Sequence, residues 1–168
     1  MKKKRNVHLV VAVLLLAVLA WFAFYSPGDE ALLRDLLEDV CSLVEKDGEE
    51  KALTTGIRAN SLSSCFTVDC DLRLSGGHRS APDIRGAHDL TRQFALMRHM
   101  CTSIDLNFTD VTITIESDAT RAKASLTGTL KVDSSVVSGT LVREAEIEFV
   151  KVEGTWRIAT VLVKETLR

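Results

Sequence analysis

The chain has 168 residues, 46% of them hydrophobic and 26% charged, with a formal net charge of −2. That length holds one domain with a real core, and beyond residue 28 too little remains for two. No basic patch with interleaved aromatics is present, which argues against a nucleic-acid partner.

The first element is the most distinctive. Lys2, Lys3, Lys4 and Arg5 precede an apolar run from Val7 to Tyr25. At about 1.5 Å per helical residue, this ~19-residue run nearly matches the ~30 Å hydrocarbon core of a bilayer. Asp29 and Glu30 follow it, so the positive-inside bias holds the amino terminus in the cytoplasm and exports everything after Ser26. Trp21, Phe22, Phe24 and Tyr25 sit where an aromatic belt would lie. A cleavable signal peptide cut after Ala20 is the alternative. The uninterrupted apolar run through Tyr25 favours a retained anchor. The expected layout is a cytoplasmic tail at 1–6, a transmembrane signal anchor at 7–25, a linker at 26–30 and an exported domain at 31–168. It places a single-pass protein in the cell inner membrane, with its domain periplasmic or extracellular. All 23 acidic residues but only 17 of the 21 basic ones lie beyond the anchor, so that domain is mildly acidic.

From Glu30 to about Asp47, Leu32, Leu33, Leu36, Leu37, Val40, Cys41 and Val44 make the stripe of an amphipathic helix, closed by Gly48. A second, shorter helix is expected over 49–62, with Leu53 and Ile57 as its buried contacts. Residues 66–74 alternate as a strand, Ser75-Gly76-Gly77-His78 is a turn, and Pro82–Arg85 a short return strand. A third helix is expected from Gly86 to Thr102, with Leu90, Phe94, Met97 and Cys101 on one face.

Four strands complete the chain. Over 106–116 the inward phase passes from Leu106 and Phe108 to Val111, Ile113 and Ile115, the mark of a β-bulge near Thr109-Asp110. Residues 120–132 alternate cleanly, and a turn at 133–138 leads to a strand with Leu141, Ala145, Ile147 and Phe149 inward. A hairpin centred near Ser135 sets Lys123 opposite Glu148. Gly154 turns the chain into a last strand from Trp156 to about Glu165. The fold class is α+β: about three helices packed on a curved, mostly antiparallel sheet.

This order resembles the nuclear transport factor 2-like superfamily, also called SnoaL-like or cystatin-like, a cone-shaped fold. Three segments carry the likeness across residues 29–168. They are the acidic-Gly corner Glu45-Lys46-Asp47-Gly48, the strand-to-helix entry Ile84-Arg85-Gly86-Ala87-His88-Asp89-Leu90, and the closing hairpin from Glu148 through Gly154 to Trp156-Arg157-Ile158. The resemblance implies a hollow between helices and sheet. Some members are enzymes, such as ketosteroid isomerases and scytalone dehydratases, and others only bind, dimerise or assemble. Inner-membrane assembly subunits of type IV secretion systems pair one amino-terminal span with such a domain.

An isomerase-type site needs a carboxylate base and hydroxyl or acid donors at the enolate oxygen. The one tyrosine is Tyr25, inside the anchor, so that donor is missing. The cavity candidates are Asp69, Asp71, His99, Arg143 and Trp156. Arg143 shares inward parity with Leu141 and Ala145 and could bind an acidic ligand, while His78 reads as an exposed loop residue. No catalytic residue, metal site or cofactor is expected. Cys41, Cys65, Cys70 and Cys101 fit no zinc spacing. They read as small buried side chains or as one disulfide among three pairings.

The expected role is a non-catalytic one in binding, scaffolding or envelope assembly, with a small-ligand or SnoaL-like enzyme as the alternative. The expected partners are the membrane through residues 7–25, other envelope proteins, and a second copy through an outer sheet face bearing Val142, Val161 and Val163. A cavity above ~300 Å³ lined by Asp69 or Asp71, Arg143 and a histidine would favour chemistry. A collapsed core with a flat valine-bearing face would favour assembly.

Overall fold

The computed structural model describes residues 28–74, 83–135 and 138–164. The expected anchor at 7–25 and the expected turn at 75–78 with His78 lie outside them. No helix among the described residues is long and apolar enough to cross a membrane.

Three helices, α1 (Asp29–Val44), α2 (Ala52–Ser64) and α3 (Ala87–Met100), pack on a sheet of seven strands. The strands are β1 (Lys46–Asp47), β2 (Phe66–Leu74), β3 (Ile84–Arg85), β4 (Cys101–Ile115), β5 (Arg121–Ser134), β6 (Ser138–Val152) and β7 (Thr155–Val163). Their order is β1-β4-β5-β6-β7-β2-β3, antiparallel throughout except where β2 runs parallel to β7. The α+β architecture is therefore as expected.

The stripe on α1 buries Leu33, Leu37, Val40 and Val44, each contributing about 1.5–3 kcal/mol of apolar burial. The helix stops at Val44 rather than continuing to Asp47, because Lys46 and Asp47 pair with Ile104 and Ser103 as a short strand. Likewise α3 ends at Met100, and Cys101 enters β4 directly.

At the entry to α3, Gly86 has φ +82° and gives its N–H to the Cys70 carbonyl at 2.7 Å. A Cβ there would sit 3.2 Å from the Val68 carbonyl, so the corner suits glycine alone. Between β6 and β7, Glu153 and Gly154 both take positive φ, the two-residue turn that matches strand twist.

Register follows the expected pattern in β4 to β6. The ladder between β4 and β5 slips between Thr109 and Thr112, with Asp110 at φ +55°. Lys123 faces Glu148, and their charges meet at 2.8 Å.

Two expectations are corrected. Leu53 and Ile57 are 76% and 59% exposed rather than buried. The inward face of α2 runs through Thr55, Ala59 and Leu62, on the opposite side of the helix. Val161 and Val163 face inward, not outward. Glu148 pairs with Thr160 but Phe149 with Ile158, so Ala159 is an extra residue. That bulge carries the inner phase from Trp156 and Ile158 to Val161 and Val163. Of the three valines, Val142 is the one on the exposed surface.

Candidate functional site

The layers do not close completely. Between the helices and the concave face of the sheet lies a cavity of about 440 Å³. Leu37, Val40 and Val44 of α1 and Leu90, Phe94 and Met97 of α3 form its roof. Leu106, Phe108, Leu130, Ile147 and Val161 line its floor. Gly128 contributes only backbone there, and the Phe108 ring lies across it. Within the described lining, Gln93 on α3 and Arg143 on β6 are the polar side chains. Such a wall is apolar in chemistry, and its size lies within the ~300–1,000 Å³ typical of ligand pockets.

Arg143 reaches this cavity because it alternates in phase with Leu141 and Ala145. Its Nη1 donates to the Val142 carbonyl at 2.8 Å. No carboxylate among the described residues pairs with it, unlike Arg34, Arg58, Arg73, Arg85, Arg92 and Arg98.

The other candidates lie elsewhere. Asp69 is exposed and Asp71 half-buried, both pointing away from the cavity that their neighbour Leu72 lines. Arg73 donates to Asp71, holding that carboxyl below the usual carboxylate range. His99 stands exposed beside a separate groove that Lys46, Glu50 and Arg98 also line. Trp156 is buried outside the cavity wall, its Nε1 donating to Asp29 Oδ1 at 2.8 Å. Lys151 donates to the same oxygen at 2.6 Å and covers the indole ring at 4.8 Å. Among the described residues, neither a carboxylate nor a histidine is brought to Arg143.

All four cysteines are free thiols. Cys70 is fully buried in β2, Cys41 borders a groove between α1 and β4, Cys65 ends α2, and Cys101 opens β4. Among the described residues, no three His, Cys, Asp or Glu side chains gather where they could hold a metal ion.

Sequence reasoning missed Gln93 and the buried Arg98. Both stand on α3, and Arg98 continues the i, i+4, i+8 line of Leu90 and Phe94. That spacing was the available signal.

The architecture is the nuclear transport factor 2-like, or cystatin-like, fold. No protein-family model matches the sequence, and no curated protein does. Solved structures match across most of the chain. A nuclear transport factor 2-like protein with a cystatin-like fold from Novosphingobium aromaticivorans has TM-score 0.60 and 15% identity, over 89% of this chain and 86% of that one. A protein of the same organism, provisionally named an aromatic ring hydroxylase, has TM-score 0.66 and 14% identity, over 85% and 93%. A cystatin-like protein of unknown function from Nostoc punctiforme has TM-score 0.59 and 11% identity, over 83% and 92%. At these identities the likeness establishes the fold alone.

Proposed function

We propose that this chain is a non-catalytic binding protein whose cone takes up an apolar small molecule. Residues 7–25 tether it to a membrane, and the domain stands on the extracytoplasmic side. The observation that carries the binding reading is the composition of the cavity: about 440 Å³ walled by aliphatic and aromatic side chains. General acid–base chemistry needs a titratable group within hydrogen-bond reach of the substrate. Asp69, Asp71 and His99 all lie off the cavity wall, which supports binding without turnover. The tether is supported by the charge asymmetry about the 7–25 run.

The test uses full-length protein in lipid nanodiscs, titrated with fluorine-labelled biphenyl and followed by ¹⁹F NMR. A saturable bound resonance absent from empty nanodiscs is expected. Partitioning indistinguishable from empty nanodiscs overturns the binding reading. Release of the intact polypeptide from vesicles by alkaline carbonate overturns the tether.

A further inference from the structure

The polar side chains of the cavity narrow the class of molecule it takes, an inference that rests on the ligand-binding reading above. Arg143 is half-buried, brings the one charge to a described wall whose other polar side chain is Gln93, and has no carboxylate partner among the described residues. Among the described residues it makes one hydrogen bond, from Nη1 to the Val142 carbonyl, so the rest of its planar fork is not engaged by them. Guanidinium forks fit carboxylates in a two-point geometry that ammonium groups do not reproduce.

The rest of the wall sets the shape and size of the ligand. It is aliphatic and aromatic, with Gln93 on the helix layer as its other polar side chain. A polar group buried there without partners would be costly, so the body of the ligand must be hydrocarbon. At ~30 Å³ for each water-sized group, the cavity holds on the order of 15 non-hydrogen atoms. Such a space takes one chain and excludes a two-chain lipid. A cationic head would meet the like charge of Arg143, and a neutral head would leave its fork unanswered.

We propose that the cone binds a single-chain monocarboxylic acid of about a dozen carbons, its tail among the apolar walls and its carboxylate on Arg143. Arg143 is the specificity-determining residue, and the apolar wall supplies affinity without discrimination.

The experiment uses the full-length protein in lipid nanodiscs, with empty nanodiscs as the blank. The probes are carboxyl-¹³C dodecanoate, dodecan-1-ol and dodecylamine, compared on wild type, Arg143→Gln and Arg143→Lys. Dodecanoate should bind more tightly than the alcohol, and the amine most weakly. Arg143→Gln should weaken dodecanoate by about 10- to 100-fold, the value of a charge-assisted hydrogen bond. It should leave dodecanol unchanged and abolish the bound shift of the carboxyl carbon. Arg143→Lys should restore part of the affinity. Circular dichroism on each variant checks that the fold is intact. If dodecanol binds as tightly as dodecanoate, or Arg143→Gln changes neither, the carboxylate assignment falls while cavity binding stands. If none of the three binds, both readings fall.

Discussion

Arg98 and Glu50, 48 residues apart, meet in a two-point ion pair, Nε to Oε2 at 2.8 Å and Nη2 to Oε1 at 2.9 Å. The guanidinium is 1% exposed, and its Nη1 also donates to the carbonyls of Leu43, Val44 and Glu45. Those are the orphan carbonyls at the end of α1, a helix with no basic residue in its own last turn. One side chain on α3 therefore caps α1 and fixes the segment that leads into α2. Lys46 reinforces the corner, donating to the Arg98 carbonyl at 2.6 Å and the Cys101 carbonyl at 2.5 Å. Glu50→Gln leaves the buried cation uncompensated and should cost about 3–5 kcal/mol. Urea unfolding at constant slope measures it. A loss below ~1 kcal/mol would show that the pair behaves as a solvated surface bridge.

The link from Asp29 to Lys151 and Trp156 makes one end of the domain sensitive to acid. The hydrogen bond from Lys151, followed by that from Trp156, holds the Asp29 carboxyl below its usual range. A depressed folded-state value gives stability that is present above the unfolded value of ~4 and lost as pH falls through the folded one. Glu50 has the same sign, its carboxyl lowered first by Arg98. Trp156 fluorescence, followed in a Trp21→Phe background, should therefore change only below pH ~4. Asp29→Ala should remove the part of that transition that reports on the start of α1. An identical acid profile in the variant would mean the carboxylate plays no part in holding the indole.

Much of this fold was legible where one physical signal acted alone. The phase slip in β4 gave the bulge at Thr109-Asp110, because an apolar pattern reversing its parity has no other simple cause. The alternation in β5 and β6 gave the Lys123–Glu148 pairing and the inward parity of Arg143. Reading failed where tertiary context overrode residue type. Leu53 and Ile57 looked like core, but α2 is oriented by its Thr55, Ala59 and Leu62 face, beside the Glu50 contacts with Thr55 and Arg58. The bulge at Ala159 was invisible, since hydrophobic residues occupy both phases of β7. Arg98 was passed over because a cation on an apolar helix face is expected to reach water. Nothing local announces a carboxylate 48 residues away.

Cys41 should be a slow thiol. Burial, the largest influence, pushes it up to about 11, with Glu38 and Asp105 acting in the same direction and the Phe108 N–H against it. The thiolate is the reacting species, so iodoacetamide labelling of the folded protein should be slow at pH 7.5 and rise about tenfold per pH unit above that. Burial also raises the Cys65 and Cys70 thiols, which should share the protection until the chain unfolds. Peptide mass spectrometry across a pH series reads the rates. Rapid labelling of Cys41 at neutral pH would show that the groove between α1 and β4 is far more open than its packing indicates.

Gly128 offers the sharpest separation of stability from binding. It lies mid-strand in β5, opposite Arg143, where a glycine costs roughly 0.5–1 kcal/mol against alanine. A Cβ there would stand 3.6 Å from the Phe108 ring, an ordinary contact, and the backbone has no positive φ. Gly128→Ala should therefore stabilise the fold by about 0.4–1 kcal/mol in urea unfolding. A larger side chain meets Phe108 and must occupy cavity space, because Gly128 forms part of its floor. Gly128→Leu should accordingly weaken uptake of any apolar probe by at least tenfold while the domain stays folded, since filling a void exchanges ligand contacts for internal ones. Unchanged probe affinity in a folded Gly128→Leu protein would mean that the ligand does not enter the space between Phe108 and Arg143.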